Sequence, residues 1–123
     1  MDSRPVDLRE LLLLIDQQKN LDTNMLLDHG CLIDAADPRP LVKAINYMLN
    51  FLNEYSGERI EVALNLNAEN IRLKLMSFWE HSEVPAIADQ LAGVFADYGG
   101  VLSFEAEPGK YLQFMITFSR ANT

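Results

Sequence analysis

Two spacings of apolar residues alternate along this chain, and each change of spacing marks a new element. Asp7-Leu8-Arg9-Glu10 opens a first helix, in which Asp7 can accept from free first-turn amides and Glu10 can reach back towards it. That helix is expected to run to about Lys19. From Leu21 to Ile33 short apolar pairs are broken by Asp28, His29 and Gly30, which fits one or two strands at a sheet edge. Asp37-Pro38-Arg39-Pro40 starts the best-marked helix, because Asp can cap and proline is tolerated in the first turn, where its missing N–H would have no partner. Leu41, Ala44, Ile45, Met48, Leu49, Leu52 and Tyr55 line one side of it, and Lys43, Asn46, Asn50, Asn53 and Glu54 line the other.

After Ser56-Gly57 the spacing drops to two. Ile60, Val62, Leu64 and Leu66 alternate with Glu61, Ala63 and Asn65, and after a polar turn Ile71, Leu73 and Leu75 alternate with Arg72 and Lys74. Ser82 is expected to cap a third helix with Val84, Ile87, Ala88, Leu91, Val94 or Phe95, and Tyr98 inward, stopping at Gly99-Gly100. A closing hairpin is predicted from Leu102, Phe104 and Ala106, a turn at Glu107-Pro108-Gly109-Lys110, and Leu112, Phe114, Ile116 and Phe118. The order predicts an α/β (α+β) fold, a two-layer sandwich with three main helices on one face of a mixed, mostly antiparallel sheet.

Composition narrows this picture. A chain of 123 residues, 49% hydrophobic and 23% charged, is expected to form a single domain over residues 1–123. A net charge of −8 disfavours nucleic acid, whose binding rests on clustered Lys and Arg, and makes a basic partner easier to accommodate. Cys31 stands alone, so neither an intrachain disulfide nor a thiolate zinc cage is available, and a cytoplasmic setting is expected. The longest wholly apolar run, Leu11 to Ile15, is too short for a membrane span, and nothing before it resembles a signal peptide.

The element order is similar to the ATPase domain shared by gyrase, Hsp90, histidine kinases and MutL, the Bergerat-type fold, and is nearest its histidine-kinase branch. Asp37 with Leu41-Val42-Lys43-Ala44-Ile45 resembles the entry to the kinase helix bearing the asparagine box, and Tyr55-Ser56 resembles its end. Ala92 to Phe118, with Tyr98-Gly99-Gly100-Val101-Leu102-Ser103 inside it, resembles the last kinase helix, glycine pair and hairpin. The resemblance implies bacterial two-component signalling, and it implies specific nucleotide-holding residues.

Those residues are where the chain departs. Aligned on Tyr55, the two polar positions that would hold ATP and Mg²⁺ fall at Tyr47 and Phe51, neither of which offers hard oxygen ligands of the kind such a cation needs. Asn46 and Asn50 have the right spacing, but using them would rotate the helix by about 100° and turn its apolar stripe away from the core. The position for an adenine-binding Asp falls at Ser77, and the glycine positions fall at Trp79 and His81. Only Phe78 to Ser82 is expected between the strand and the next helix cap, in place of a lid, and no phosphate-cradling glycine loop occurs elsewhere.

Other groupings carry less. His29, Cys31, Asp28 and Asp34 lack the further ligands of a tight metal site, and His81 beside Glu80 and Glu83 reads as an acidic surface, not as an acid–base centre. No catalytic residue, metal or cofactor is expected. The residues before Pro38 lack the long helical hairpin of phosphotransfer proteins. The expected function is a non-catalytic pseudo-ATPase module for signalling or protein interaction, with Tyr47, Phe51, Phe78 and Trp79 as the partner-binding or self-association surface. Two alternatives stand beside it, a small ATP-binding kinase of the anti-sigma type using Asn50 and Ser77, and a sensor holding a small ligand in the altered cleft.

Overall fold

The computed structural model describes residues 4–120. Strand β1 (Arg4–Asp7) leads directly into helix α1 (Leu8–Gln18), and Asp7 Oδ1 accepts from the amides of Arg9 and Glu10 as the sequence implies. Strands β2 (Thr23–Leu27) and β3 (Leu32–Ala35) follow, then helix α2 (Arg39–Ser56). The rest comprises β4 (Ile60–Leu66), β5 (Asn70–Phe78), the short helix α3 (Leu91–Ala96), β6 (Gly100–Glu107) and β7 (Tyr111–Ser119).

Five strands form the main sheet in the order β2-β4-β5-β7-β6, with β2 parallel to β4 and every other pairing antiparallel. Alternation decides which side each residue takes. Ile60, Val62 and Leu64, then Ile71, Leu73 and Leu75, then Leu112, Phe114, Ile116 and Phe118 all point into one buried layer, against Leu41, Ile45, Met48, Leu49 and Leu52 of α2 and Leu12 and Ile15 of α1. The predicted two-layer architecture with helices on one face of a mixed sheet is the observed one.

Three local features differ from expectation. Strand β1 has no apolar alternation of its own and exists by pairing antiparallel with β3, Val6 opposite Ile33. The amide of Leu41, free at the start of α2, is satisfied by the Tyr98 hydroxyl at 3.2 Å, and Tyr98 in turn donates to the Asp37 carbonyl at 2.6 Å. Asp37 itself accepts from the Arg39 amide and guanidinium, not from deeper in the helix.

The third difference is a correction to the predicted helix from Ser82. Residues Trp79 to Gln90 have no regular secondary structure, and α3 starts only at Leu91. Pro85 disfavours the helical conformation at Val84, and Val84 is exposed where an inward position was expected. The connection after β5 is consequently longer than the Phe78 to Ser82 link that the sequence suggested.

Candidate functional site

Helix α2 sets one wall. Tyr47, Phe51 and Tyr55, four residues apart, form a ladder on one side of the helix, with ring centroids 6.1 Å apart for the first pair and 4.7 Å for the second. Phe51 is 5% exposed and meets Phe104 and Phe114 edge-on at 5.7 and 5.4 Å, the arrangement that brings a positive ring edge to a negative ring face. Tyr47 is half-buried, and its hydroxyl accepts from the Ala88 amide at 2.9 Å. That bond ties the irregular Trp79–Gln90 segment down onto α2, with Leu91 buried just after it.

The end of β5 sets the opposite wall. Its inward alternation continues through Ser77 to Trp79, and Trp79 extends the pairing with the hairpin through its amide to the Lys110 carbonyl at 3.1 Å. Ser77 is 1% exposed, with its Oγ 2.6 Å from Ser56 Oγ and 3.0 Å from the Arg59 carbonyl. Ser56 Oγ also lies 2.5 Å from the Phe78 carbonyl and accepts from the Glu58 amide. The two hydroxyls have one proton each and these carbonyls to satisfy, so both are committed inside the fold, knotting the end of α2 to the end of β5. Gly57, left-handed at φ +72, makes the turn that allows it.

The four aromatics expected to form one surface are not brought together as one. Trp79 is 2% exposed and joins the core, as does Phe51, whereas Phe78 is 49% exposed on the other side of the strand and Tyr47 lies between these extremes. Strand alternation separates Phe78 from Trp79, and the inward rings Phe104 and Phe114 receive Phe51. His81 is exposed, with its ring 6.4 Å from that of Trp79.

Beside Trp79 lies a cavity of about 480 Å³ lined by Glu54, Tyr55, Trp79, His81, Glu83, Val84 and Pro85. Glu54 reads in the sequence only as part of a wet helix face, and Glu83 only as a neighbour of His81. A second hollow, about 260 Å³, lies where Tyr47 and Lys43 of α2 face Ala88, Gln90 and Leu91.

Elsewhere the grouping around Cys31 resolves into structural roles. Cys31 is buried, and burial, with Asp28 and Asp7 nearby, pushes its thiol above the ordinary range, so it stays protonated and unreactive. Asp28 Oδ2 accepts from the Leu66 amide at 2.9 Å, joining the chain after β2 to the end of β4. Burial also raises the Tyr98 phenol, keeping it protonated as the donor to Asp37. Among the described residues no helix is long and apolar enough to cross a membrane.

Sheet order, the single parallel pair and the helical layer together define the fold of histidine-kinase ATPase domains. No protein-family model matches the sequence, and no curated protein matches it. Solved structures do. The ATP-binding domain of PrrB from Mycobacterium tuberculosis superposes with a TM-score of 0.80 at 17% identity, covering 99% of this chain and 100% of that one. The histidine kinase domain of the E. coli osmosensor EnvZ gives 0.77 at 12% identity, covering 100% and 92%. The Acinetobacter baumannii histidine kinase AdeS gives 0.76 at 13% identity, covering 99% of this chain and 69% of that one. At such identities the likeness is one of fold.

Proposed function

We propose that this chain is a non-catalytic, pseudo-ATPase module of a two-component-type signalling system that works through protein contacts. One observation carries the reading. Of the positions to which the kinase resemblance assigns nucleotide holding, all but exposed His81 are filled by side chains engaged within the fold: Phe51 and Trp79 in the core, Ser77 on Ser56, and Tyr47 on the Ala88 amide. A purine entering there would have to displace a buried indole and separate the Ser56–Ser77 pair. Its phosphates would meet no lysine or arginine on the Trp79 side, where Glu54 and Glu83 stand instead.

Calorimetric titration with Mg·ATP and with ADP tests this. No saturable heat is expected up to millimolar nucleotide, and micromolar binding would restore the anti-sigma-type kinase as the better reading. The partner surface also moves. With Phe51 and Trp79 inside, the exposed aromatics available to a partner are Phe78 on the outer side of β5 and Tyr55 near the end of α2.

A further inference from the structure

Strand β6 ends the main sheet, and among the described residues it has β7 on one side and no strand on the other. The backbone bonds at its two ends say which groups that leaves free. The Ser119 amide donates to the Gly99 carbonyl at 3.2 Å, and at the turn the Lys110 amide donates to the Glu107 carbonyl at 2.9 Å, so the odd-numbered residues of β6 aim their backbone at β7. Leu102, Phe104 and Ala106 therefore aim their N–H and C=O groups outwards, and among the described residues no loop or turn bonds to them. Such edges are ordinarily guarded by a bulge, a proline, a lysine or shortness. Gly100–Glu107 pairs one to one with β7 over 8 residues without a bulge, and it contains neither proline nor lysine.

The charges on the strand, Glu105 and Glu107, decide what can pair with it and in which register. When two copies run antiparallel about a two-fold axis, the outward groups meet only where even-numbered residues face even-numbered ones. An axis at Ser103 sets Leu102 opposite the second copy's Phe104, Ala106 opposite its Gly100, and Val101 opposite its Glu105. Leu102 and Phe104, half-buried at the open edge, then cover each other, and Val101, 72% exposed, is covered by the stem of a glutamate. The two Glu105 carboxylates stand four residues apart along the pair, about 14 Å. Moving the axis to Phe104 brings them to neighbouring diagonal positions, and moving it to Glu105 sets them face to face. We propose that a second copy of this chain adds along β6 with the axis at Ser103, joining two five-stranded sheets into one continuous sheet. This pairing uses an edge backbone and not the altered cleft, so it goes beyond the interaction-module reading and holds whichever way the nucleotide titration falls.

Sedimentation velocity of the whole chain tests this, together with cysteines placed along the edge. A dimer is expected that tightens as NaCl is raised from about 50 to 500 mM, because each copy carries a net charge of −8. On the axis the two Ser103 Cα atoms would lie about 4.5 Å apart, within disulfide reach. Ser103→Cys should therefore cross-link under mild oxidation, and Glu105→Cys, about 14 Å from its counterpart, should not. Cys31 is buried and takes no part. Ser103→Lys sets two ammonium groups face to face and should weaken the dimer by about fivefold, even though it lowers the net charge, with the circular dichroism spectrum unchanged. A monomer at every salt concentration, at up to about 1 mM chain, overturns the proposal. Equal cross-linking by both cysteines, a dimer that salt loosens, or one that Ser103→Lys leaves intact overturns it as well.

Discussion

Trp79 and Phe78 are neighbours in sequence with opposite fates, and replacing each by alanine separates packing from exposure. Removing a buried tryptophan costs about 3–5 kcal/mol, the lost transfer free energy plus the void left behind. Trp79 borders a cavity of about 480 Å³ that water can enter, so part of the void would be solvated and the lower end, about 3 kcal/mol, is expected. A chain of 123 residues has an unfolding entropy of about 260 cal/mol/K, which turns that loss into a fall in Tm of about 12 °C. Phe78, 49% exposed, should cost less than about 0.5 kcal/mol. Urea denaturation followed by far-ultraviolet circular dichroism measures both without relying on the tryptophan that one variant lacks. A Trp79→Ala cost below about 1 kcal/mol, or a Phe78→Ala cost equal to it, would refute the packing of Trp79 as the plug of the cleft.

Further outcomes follow from the glycines and the cysteine. A Cβ at Gly100 would lie 2.8 Å from the Phe118 ring and 2.9 Å from Ile116 Cγ2, so Gly100→Ala should cost about 1–3 kcal/mol; at Gly93 in α3, where nothing lies within 4 Å, alanine should stabilise by about 0.5–1 kcal/mol, both read from thermal melts. Cys31 should resist a thiol reagent at mildly alkaline pH until denaturant is added. Its folded-state value is raised, so the unfolded chain loses the thiol proton first, and the thiol's contribution to stability should decline as pH rises through the ordinary thiol range. Fast labelling of the native protein would contradict its burial.

How much of this was readable depended on whether the deciding interaction was local. Helix α2 and the two hairpins follow from period alone, since their inward residues are set by the repeat of the element itself. Strand β1 was not readable, because only β3 makes Arg4–Asp7 a strand. The start of α3 was misplaced because Ser82 looked like a cap, while Val84-Pro85, two residues on, weighed against a helix there and the regular turns begin only at Leu91. Burial of Trp79 was in fact legible, as the continuation of Ile71, Leu73, Leu75 and Ser77 along one side of β5. Burial of Phe51 was not, since it depends on Phe104 and Phe114 arriving from the last hairpin.

The lone parallel pair also has a consequence in time. Strands β4, β5, β7 and β6 pair with one another entirely within residues 60–119, whereas β2 can join only once β4 exists, across the stretch containing β3 and α2. Closing that stretch costs chain entropy before any pairing rewards it. During synthesis the N-terminal half emerges first, with the β1–β3 pair but none of strands β4 to β7 to join. The apolar faces of its helices stay uncovered until the strands of the second half arrive.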